Sequence, residues 1–473
     1  MTDAEQTYDV IVLGAGSTGE NVADIAVRGG LSAVLVESEL VGGECSYWAC
    51  MPSKTLLRGS EAIAAARAVR GAAAAVTGEQ DVAATLARRD DFTHHWDDAG
   101  QVRWVDGAGI ALVRGHGRLA GEKRVVVAQP DGTQRVLVAR HAVAVCTGSR
   151  AAVPPVDGLA EVQAWTPREA TSAKEAPGRL LVLGGGYVGC EMATAWQQLG
   201  SSVTLLQHGG RLLPDLEPAA GQAVEESLRA LGVEVQLDTM VRSARRDGDE
   251  VVLACSHAEV RGEEVLVATG RTPNSDAIGL DTVGLEPGGF LDVDESLQVT
   301  GVPWLYGVGD VNGRALLTHM GKYQARQAGH AIVARARGEQ VDLTDWSPSV
   351  ATADRRATPS VVFTDPQIAA VGLTAAQAEQ QGLPHRVVEY PIGSVAGASV
   401  VADGYTGTAI AVVDTDREVL LGVTFIGPGV AELLHSATIA VVGEVPISRL
   451  WHAVPSYPTI SEVWLRLLET WRG

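Results

Sequence analysis

A chain of 473 residues is too long for one hydrophobic core and sets an expectation of about three domains. Its 46% apolar and 20% charged residues fit a globular protein, and its net charge of −20 argues against nucleic acid or an anionic membrane as a main partner. Residues 1–7 are polar and lead into a strand pattern without a signal-peptide profile, and no apolar run is long enough to span a bilayer, so a cytoplasmic location is expected. Five cysteines (Cys45, Cys50, Cys146, Cys190 and Cys255) do not make a disulfide scaffold in such a chain, and a disulfide here is expected to be catalytic.

In chain order, a run of strand formers at 10–13 meets a tight turn carrying Gly14, Gly16 and Gly19. An Ala-rich helical stretch follows, then a second strand ending at Glu37. This strand–turn–helix–strand context is what a dinucleotide fingerprint requires: the glycines let a pyrophosphate approach the helix N-terminus, and the acid accepts hydrogen bonds from a ribose. The segment 41–54 then brings Gly42, Gly43, Cys45, Cys50, Pro52 and Lys54. Two cysteines five apart can be a plain helix pair or half of a metal site, but no further Cys or His lies close enough to complete a metal site. The glycine pattern recurs with Gly184, Gly186 and Gly189 before a helix and a strand at 203–206. Gly14 to Glu37 and Gly184 to Gln207 are each 23 positions. The units close on similar phrases, one holding Thr147 and Gly148 and the other Gly270. Two dinucleotides are therefore expected.

Gln207 stands where a carboxylate would favour NAD. A carboxylate about 4 Å from a 2′-phosphate costs on the order of 1–4 kcal/mol. With a neutral Gln207, and with His208 and Arg211 just beyond, NADPH is the expected donor and NADH a possible one; Arg211 pointing into solvent is the plain alternative.

The 41–54 segment resembles the active-site signature of the class I pyridine nucleotide–disulfide oxidoreductases, which include glutathione reductase, dihydrolipoamide dehydrogenase and mercuric reductase. The resemblance runs along essentially the whole chain. Gly309-Asp310 is similar to the family's second FAD fingerprint, Arg271 to Asn274 and Leu317-Thr318 to other FAD-domain signatures, and residues 359–368 to the start of its dimerisation domain. The resemblance implies an α/β fold: two Rossmann-like dinucleotide-binding domains plus a C-terminal α/β dimerisation domain. The expected boundaries are 1–155 and 275–345 for FAD, 156–274 for NAD(P), and 346–473 for the interface. It further implies FAD held by Gly14, Gly16, Gly19, Glu37, Gly43, Thr147, Gly148, Arg271, Gly309, Asp310, Leu317 and Thr318. NAD(P)H is implied at Gly184, Gly186, Gly189, Gln207, His208, Arg211 and Gly270, behind a gating Tyr187. Cys50 becomes the flavin-side sulfur, Cys45 the interchange thiol, and Lys54 pairs with Glu191 near the flavin; without the resemblance Glu191 reads as an ordinary surface acid. Cys146, Cys190 and Cys255 read as small buried hydrophobes.

The C-terminal pattern departs from the family. Pro458, Thr459 and Glu462 are kept, but Tyr457 stands where the partner subunit of a homodimer would supply an acid–base histidine. A phenol with a pKa near ~10 is a poor proton shuttle, and general acid–base help is worth roughly 10²–10⁴-fold. His452 is the nearest alternative. The expected activity is electron transfer from NAD(P)H through FAD and the Cys45–Cys50 disulfide to a small-molecule or protein disulfide. The competing readings are a quinone or other diffusible-acceptor reductase, a mercuric reductase (disfavoured because the paired C-terminal cysteines are missing), and a non-catalytic subunit. No resident metal is expected.

Overall fold

The computed structural model describes residues 5–473, whose contacts divide the chain into two compact units. The first comprises the chain up to Met51, then Asp90–Ala151 and Arg271–Arg355. Its sheet runs Ala111–Arg114, Ala33–Glu37, Gln6–Leu13, Gln134–Val145 and Leu305–Gly307, all parallel. The hairpin strands His116–Leu119 and Arg124–Ala128 add antiparallel to Gln134–Val145. Val10, Ile11, Val12, Val143 and Val145 are fully buried. A parallel strand covered on both faces needs such an unbroken apolar run, where a half-exposed strand would alternate.

Helix Ser17–Arg28 lies along helix Thr318–Ala336, and glycines permit the approach. A Cβ on Gly321 would fall 2.4 Å from the Thr18 hydroxyl, and one on Gly329 would fall 2.5 Å from Ile25. Strand Leu305–Gly307 and helix Thr318–Ala336 thus bring the last third of the unit onto the first glycine turn.

The second unit comprises Pro52–Arg89, Ala152–Gly270 and Arg356–Gly473. One sheet is parallel, in the order Glu234–Gln236, Ser202–Leu206, Arg179–Leu183, Glu264–Val267. A three-stranded antiparallel sheet, Val241–Asp247, Glu250–Cys255 and Glu259–Gly262, accompanies it. The C-terminal part is a five-stranded antiparallel sheet in the order Pro359–Val362, Gln367–Gly372, Leu420–Gly427, Thr408–Asp414, His385–Pro391. Helices Leu434–Val442 and Val463–Arg472 cover it, with Phe425, Ala437, Val463 and Leu467 buried in its core. The expected α/β architecture, two dinucleotide-type parallel sheets followed by a C-terminal α/β segment, is the one found.

Candidate active site

The two glycine turns have the same geometry, residue for residue. Gly14 has φ +95° and Gly184 φ +106°, the left-handed region where only glycine is relaxed. A Cβ on Gly14 would lie 2.5 Å from the Cys146 carbonyl oxygen, and one on Gly184 would lie 2.4 Å from that of Ala268. Likewise a Cβ on Gly19 would lie 1.9 Å from the Gly14 oxygen, and one on Gly189 would lie 1.8 Å from the Gly184 oxygen. Gly16 and Gly186 cap the following helices without any side-chain hydrogen bond, which leaves backbone N–H groups at the helix start for an anion. The Ala15 N–H donates to the Glu37 carboxylate at 2.6 Å, and the Gly185 N–H donates to the Gln207 side-chain carbonyl at 2.9 Å. Gln207 therefore occupies the structural place of Glu37. Arg211 does not project into solvent; its guanidinium donates to the backbone carbonyls of Pro214 and of Leu216, the latter at 3.1 Å, while His208 is exposed.

The remaining expected FAD residues converge in the first unit. The Ser149 hydroxyl donates to Asp310 at 2.6 Å and receives the Arg271 side chain at 2.5 Å. Thr147 donates to the Asn274 carbonyl at 2.7 Å, and the Asn274 N–H donates to the Gly148 carbonyl at 3.0 Å. Gly309, at φ +82°, lies so close to Thr18 that a Cβ would fall 2.8 Å from its hydroxyl. Leu317 caps helix Thr318–Ala336. In the second unit, Gly270 has φ +133° and receives the Ala152 N–H at 2.9 Å. The cradle, the acid at the strand tip and the half-buried Asp310 fit a pyrophosphate, a ribose and a polyol.

The dithiol segment is stitched to the first glycine turn. The Gly42 N–H donates to the Ala15 carbonyl at 2.8 Å, and Gly43, at φ +61°, sits where a Cβ would meet Gly16 Cα at 2.8 Å. The two cysteines do not share one helix. Cys45 lies in the short helix Gly43–Tyr47, the chain breaks at Trp48–Ala49, and Cys50 opens helix Cys50–Arg67. Only Cys50 therefore gains from the positive end of a long helix, which favours a thiolate there. Its sulfur is 3.2 Å from the Thr318 hydroxyl. The Cys45 thiol contacts Cys50, and that hydrogen bond first and burial second push its pKa well up, with Thr318 and Lys322 opposing. A pair in which one proton is hard to remove holds a single thiolate. Sequence reasoning missed what fixes this segment from outside: Asp98 accepts from the Val41 N–H at 2.7 Å and pairs with Arg114, and Trp96 Nε1 donates to the Tyr47 carbonyl at 3.1 Å.

In the second unit Lys54 Nζ is 2.7 Å from Glu191, whose side chain is 5% exposed, so Glu191 is no surface acid. Glu191 also accepts the Phe363 N–H at 3.0 Å, and Lys54 lies 4.9 Å from the Phe363 ring centre. Phe363 is thus a further member of this cluster that no local pattern announces. Tyr187 opens helix Tyr187–Gln198, and its hydroxyl bonds that of Ser360 at 3.1 Å. Burial raises its pKa. Cys146 and Cys190 are buried and Cys255 is partly so.

Near the C-terminus Tyr457 and Glu462 stand in different surroundings. Glu462 is buried and accepts the Gly397 N–H at 3.0 Å, whereas Tyr457 is 76% exposed. No hydrogen bond joins the two among the described residues. A Cβ on Gly397 would strike Thr459 backbone at 2.0 Å, so Gly397 sets where this turn sits. His452 is exposed. No cluster of metal-ligating side chains occurs among the described residues, and none of their helices is long and apolar enough to cross a membrane.

Two dinucleotide cradles with a dithiol against one of them define a flavin- and nicotinamide-dependent oxidoreductase. Comparison with known proteins makes this specific: residues 8–338 match the pyridine nucleotide-disulphide oxidoreductase model and residues 358–467 the dimerisation domain of the same family. The chain belongs to that family, whose members are FAD-dependent and use NAD(P)H. Similar proteins include dihydrolipoyl dehydrogenase 3 of Pseudomonas aeruginosa, 31% identical over 97% of this chain and 96% of the relative. Mercuric reductase of Acidithiobacillus ferrooxidans is 30% identical over 98% of this chain and 82% of its own. Among solved structures, the HOCl-induced flavoprotein disulfide reductase RclA of Escherichia coli superimposes with TM-score 0.84 at 23% identity, covering 98% of this chain and 99% of that one. LpdA of Mycobacterium tuberculosis gives 0.82 at 23% identity, with 98% and 99% covered.

Proposed function

We propose that this oxidoreductase reduces a disulfide substrate, with Cys45 and Cys50 cycling between dithiol and disulfide. The observation that carries the reading is the cysteine pair: two sulfurs in contact, Cys50 at the start of an 18-residue helix and beside Thr318. FAD, when bound, takes a hydride equivalent from NAD(P)H and hands on an electron pair. Around it the first unit's glycine turn, Glu37, Arg271 and Asp310 bind and orient, and Lys54, held by Glu191, keeps a positive charge in the second unit. Cys50 holds the negative charge of the reduced pair; Cys45 attacks one substrate sulfur and breaks the S–S bond, releasing the other half as a thiol, and Cys50 then displaces the bound half to reform the Cys45–Cys50 disulfide. Tyr187 gates the nicotinamide side.

NADPH is the assigned donor, because Gln207 fills the place of an acid without its charge. Gln207→Glu is expected to shift preference toward NADH by about tenfold or more. The working form is a homodimer: Val400, Ile439, Val454 and Tyr457 are exposed at 70%, 57%, 86% and 76% within the segment that includes the dimerisation-domain match. The acceptor is a low-molecular-weight or protein disulfide.

A second reading, reduction of quinones or other diffusible acceptors, draws on the exposed Tyr457 that is not bonded to Glu462. Steady-state assays of Cys45→Ser against disulfide and quinone panels decide between them. Loss of disulfide turnover by at least ~10³-fold with quinone turnover kept is expected for the pure disulfide step. Full disulfide turnover in Cys45→Ser contradicts the proposal.

A further inference from the structure

Strand Pro359–Val362 forms one edge of the five-stranded C-terminal sheet, and its segment touches helix Tyr187–Gln198 of the same unit at two points. The Phe363 N–H, just past the strand, donates to the Glu191 carboxylate at 3.0 Å. The Tyr187 hydroxyl donates to that of Ser360 at 3.1 Å, across 173 positions of chain. Tyr187 and Glu191 are four residues apart, so they share one helix face a turn apart, and the two bonds clamp that face to the strand. The Tyr187 and Phe363 side chains also pack against the same buried core. The two hydroxyls are not equally free to move. Ser360 is buried, and its backbone is fixed in the ladder opposite Ala370. Tyr187 is half-buried at the first position of its helix, where its ring can change rotamer while the backbone stays in place. Tyr187 is therefore the movable partner and Ser360 the anchor.

We propose that Ser360 is the latch of the nicotinamide gate: it holds the Tyr187 ring closed, and the cofactor enters by breaking this one hydroxyl–hydroxyl bond. The inference rests on the reading in which Tyr187 gates the nicotinamide side. Ser360 is a positioning residue that acts through Tyr187 and takes no part in the chemistry. A neutral hydrogen bond suits the task, since it gives a half-buried phenol its partner and is exchanged for water at small net cost. The Phe363–Glu191 bond keeps the strand at a fixed reach from the helix. One strand thus sets both the gate and the carboxylate that holds Lys54.

The experiment titrates FAD-loaded, oxidised protein with NADP+ by isothermal calorimetry, so that binding is read without turnover. Ser360→Ala is expected to bind NADP+ about three- to tenfold more tightly, because entry no longer breaks a bond. Tyr187→Phe, which keeps the ring and removes the hydroxyl, is expected to show the same gain from the other end. The double variant is expected to gain no more than either single one, since both remove the same interaction. A loss of packing would weaken binding instead of tightening it. Unchanged or weaker binding in both single variants overturns the latch, as do gains that add in the double variant. Tyr187→Ala tests the underlying gate separately. An altered NADP+ affinity there, with none in Ser360→Ala and Tyr187→Phe, strikes the latch alone; an unaltered affinity overturns the gate reading itself.

Discussion

Glu20 is a carboxylic acid in the wrong surroundings for a charge. Burial raises its pKa to about 7, with Glu37 adding to the rise and Lys322 opposing it. Below the ordinary carboxyl value both folded and unfolded chains hold the proton, and the site costs nothing. As pH climbs from about 4.5 to about 7 the unfolded chain releases it while the folded chain keeps it, so stability falls; above about 7 the penalty is complete. Glu20→Gln is therefore expected to raise the melting temperature of the FAD-loaded protein at pH 8, by the equivalent of about 3 kcal/mol at most, and to change little at pH 4.5. An equal gain at both values, read by calorimetry, contradicts the buried-acid account. The buried Glu191 carboxylate, by contrast, has a cation beside it in Lys54. Glu191→Leu leaves Lys54 without its carboxylate and is expected to slow flavin reduction by NADPH about 10–100-fold in stopped flow. An unchanged rate removes the pair from the electron path.

At the scale of elements, the two glycine turns are superimposable devices with separate consequences. Gly19→Ala forces a methyl onto the Gly14 carbonyl in the first unit, and Gly189→Ala does the same to Gly184 in the second. The first variant is expected to purify with FAD occupancy below about half. The second is expected to keep its FAD but lose at least about tenfold in the rate of reduction by NADPH. Identical phenotypes would mean that the two cradles do not bind different cofactors. These turns were legible in the sequence because the constraint is steric and local: a carbonyl within 2 Å of a Cβ position admits glycine alone, and equal spacing places Glu37 and Gln207 alike. The placement of the cysteines was legible only in part. Their spacing allowed a plain helix pair, but the break at Trp48–Ala49 gives the helix start to Cys50 alone.

For the whole molecule, what the sequence could not show on its own is what tertiary folding brings together. Lys54 and Glu191 are 137 positions apart and were paired through family resemblance; nothing in either neighbourhood names the other. Trp96 and Asp98, which pin the redox segment, and Glu20, with its buried carboxylate oxygen, left no local signature, because isolated polar residues usually face water. The exposed apolar residues of the C-terminal segment place the remaining requirement in a second copy. Ile439→Asp is expected to yield monomers by light scattering that still accept electrons from NADPH but turn over disulfides at least about tenfold more slowly. The central claim is tested most directly by anaerobic titration with NADPH while the flavin spectrum is watched. A long-wavelength charge-transfer band at one equivalent is predicted, because the first electron pair should come to rest on the cysteines with a thiolate at Cys50. Direct bleaching to fully reduced flavin without that band would contradict the account, since the electrons would then bypass the cysteines.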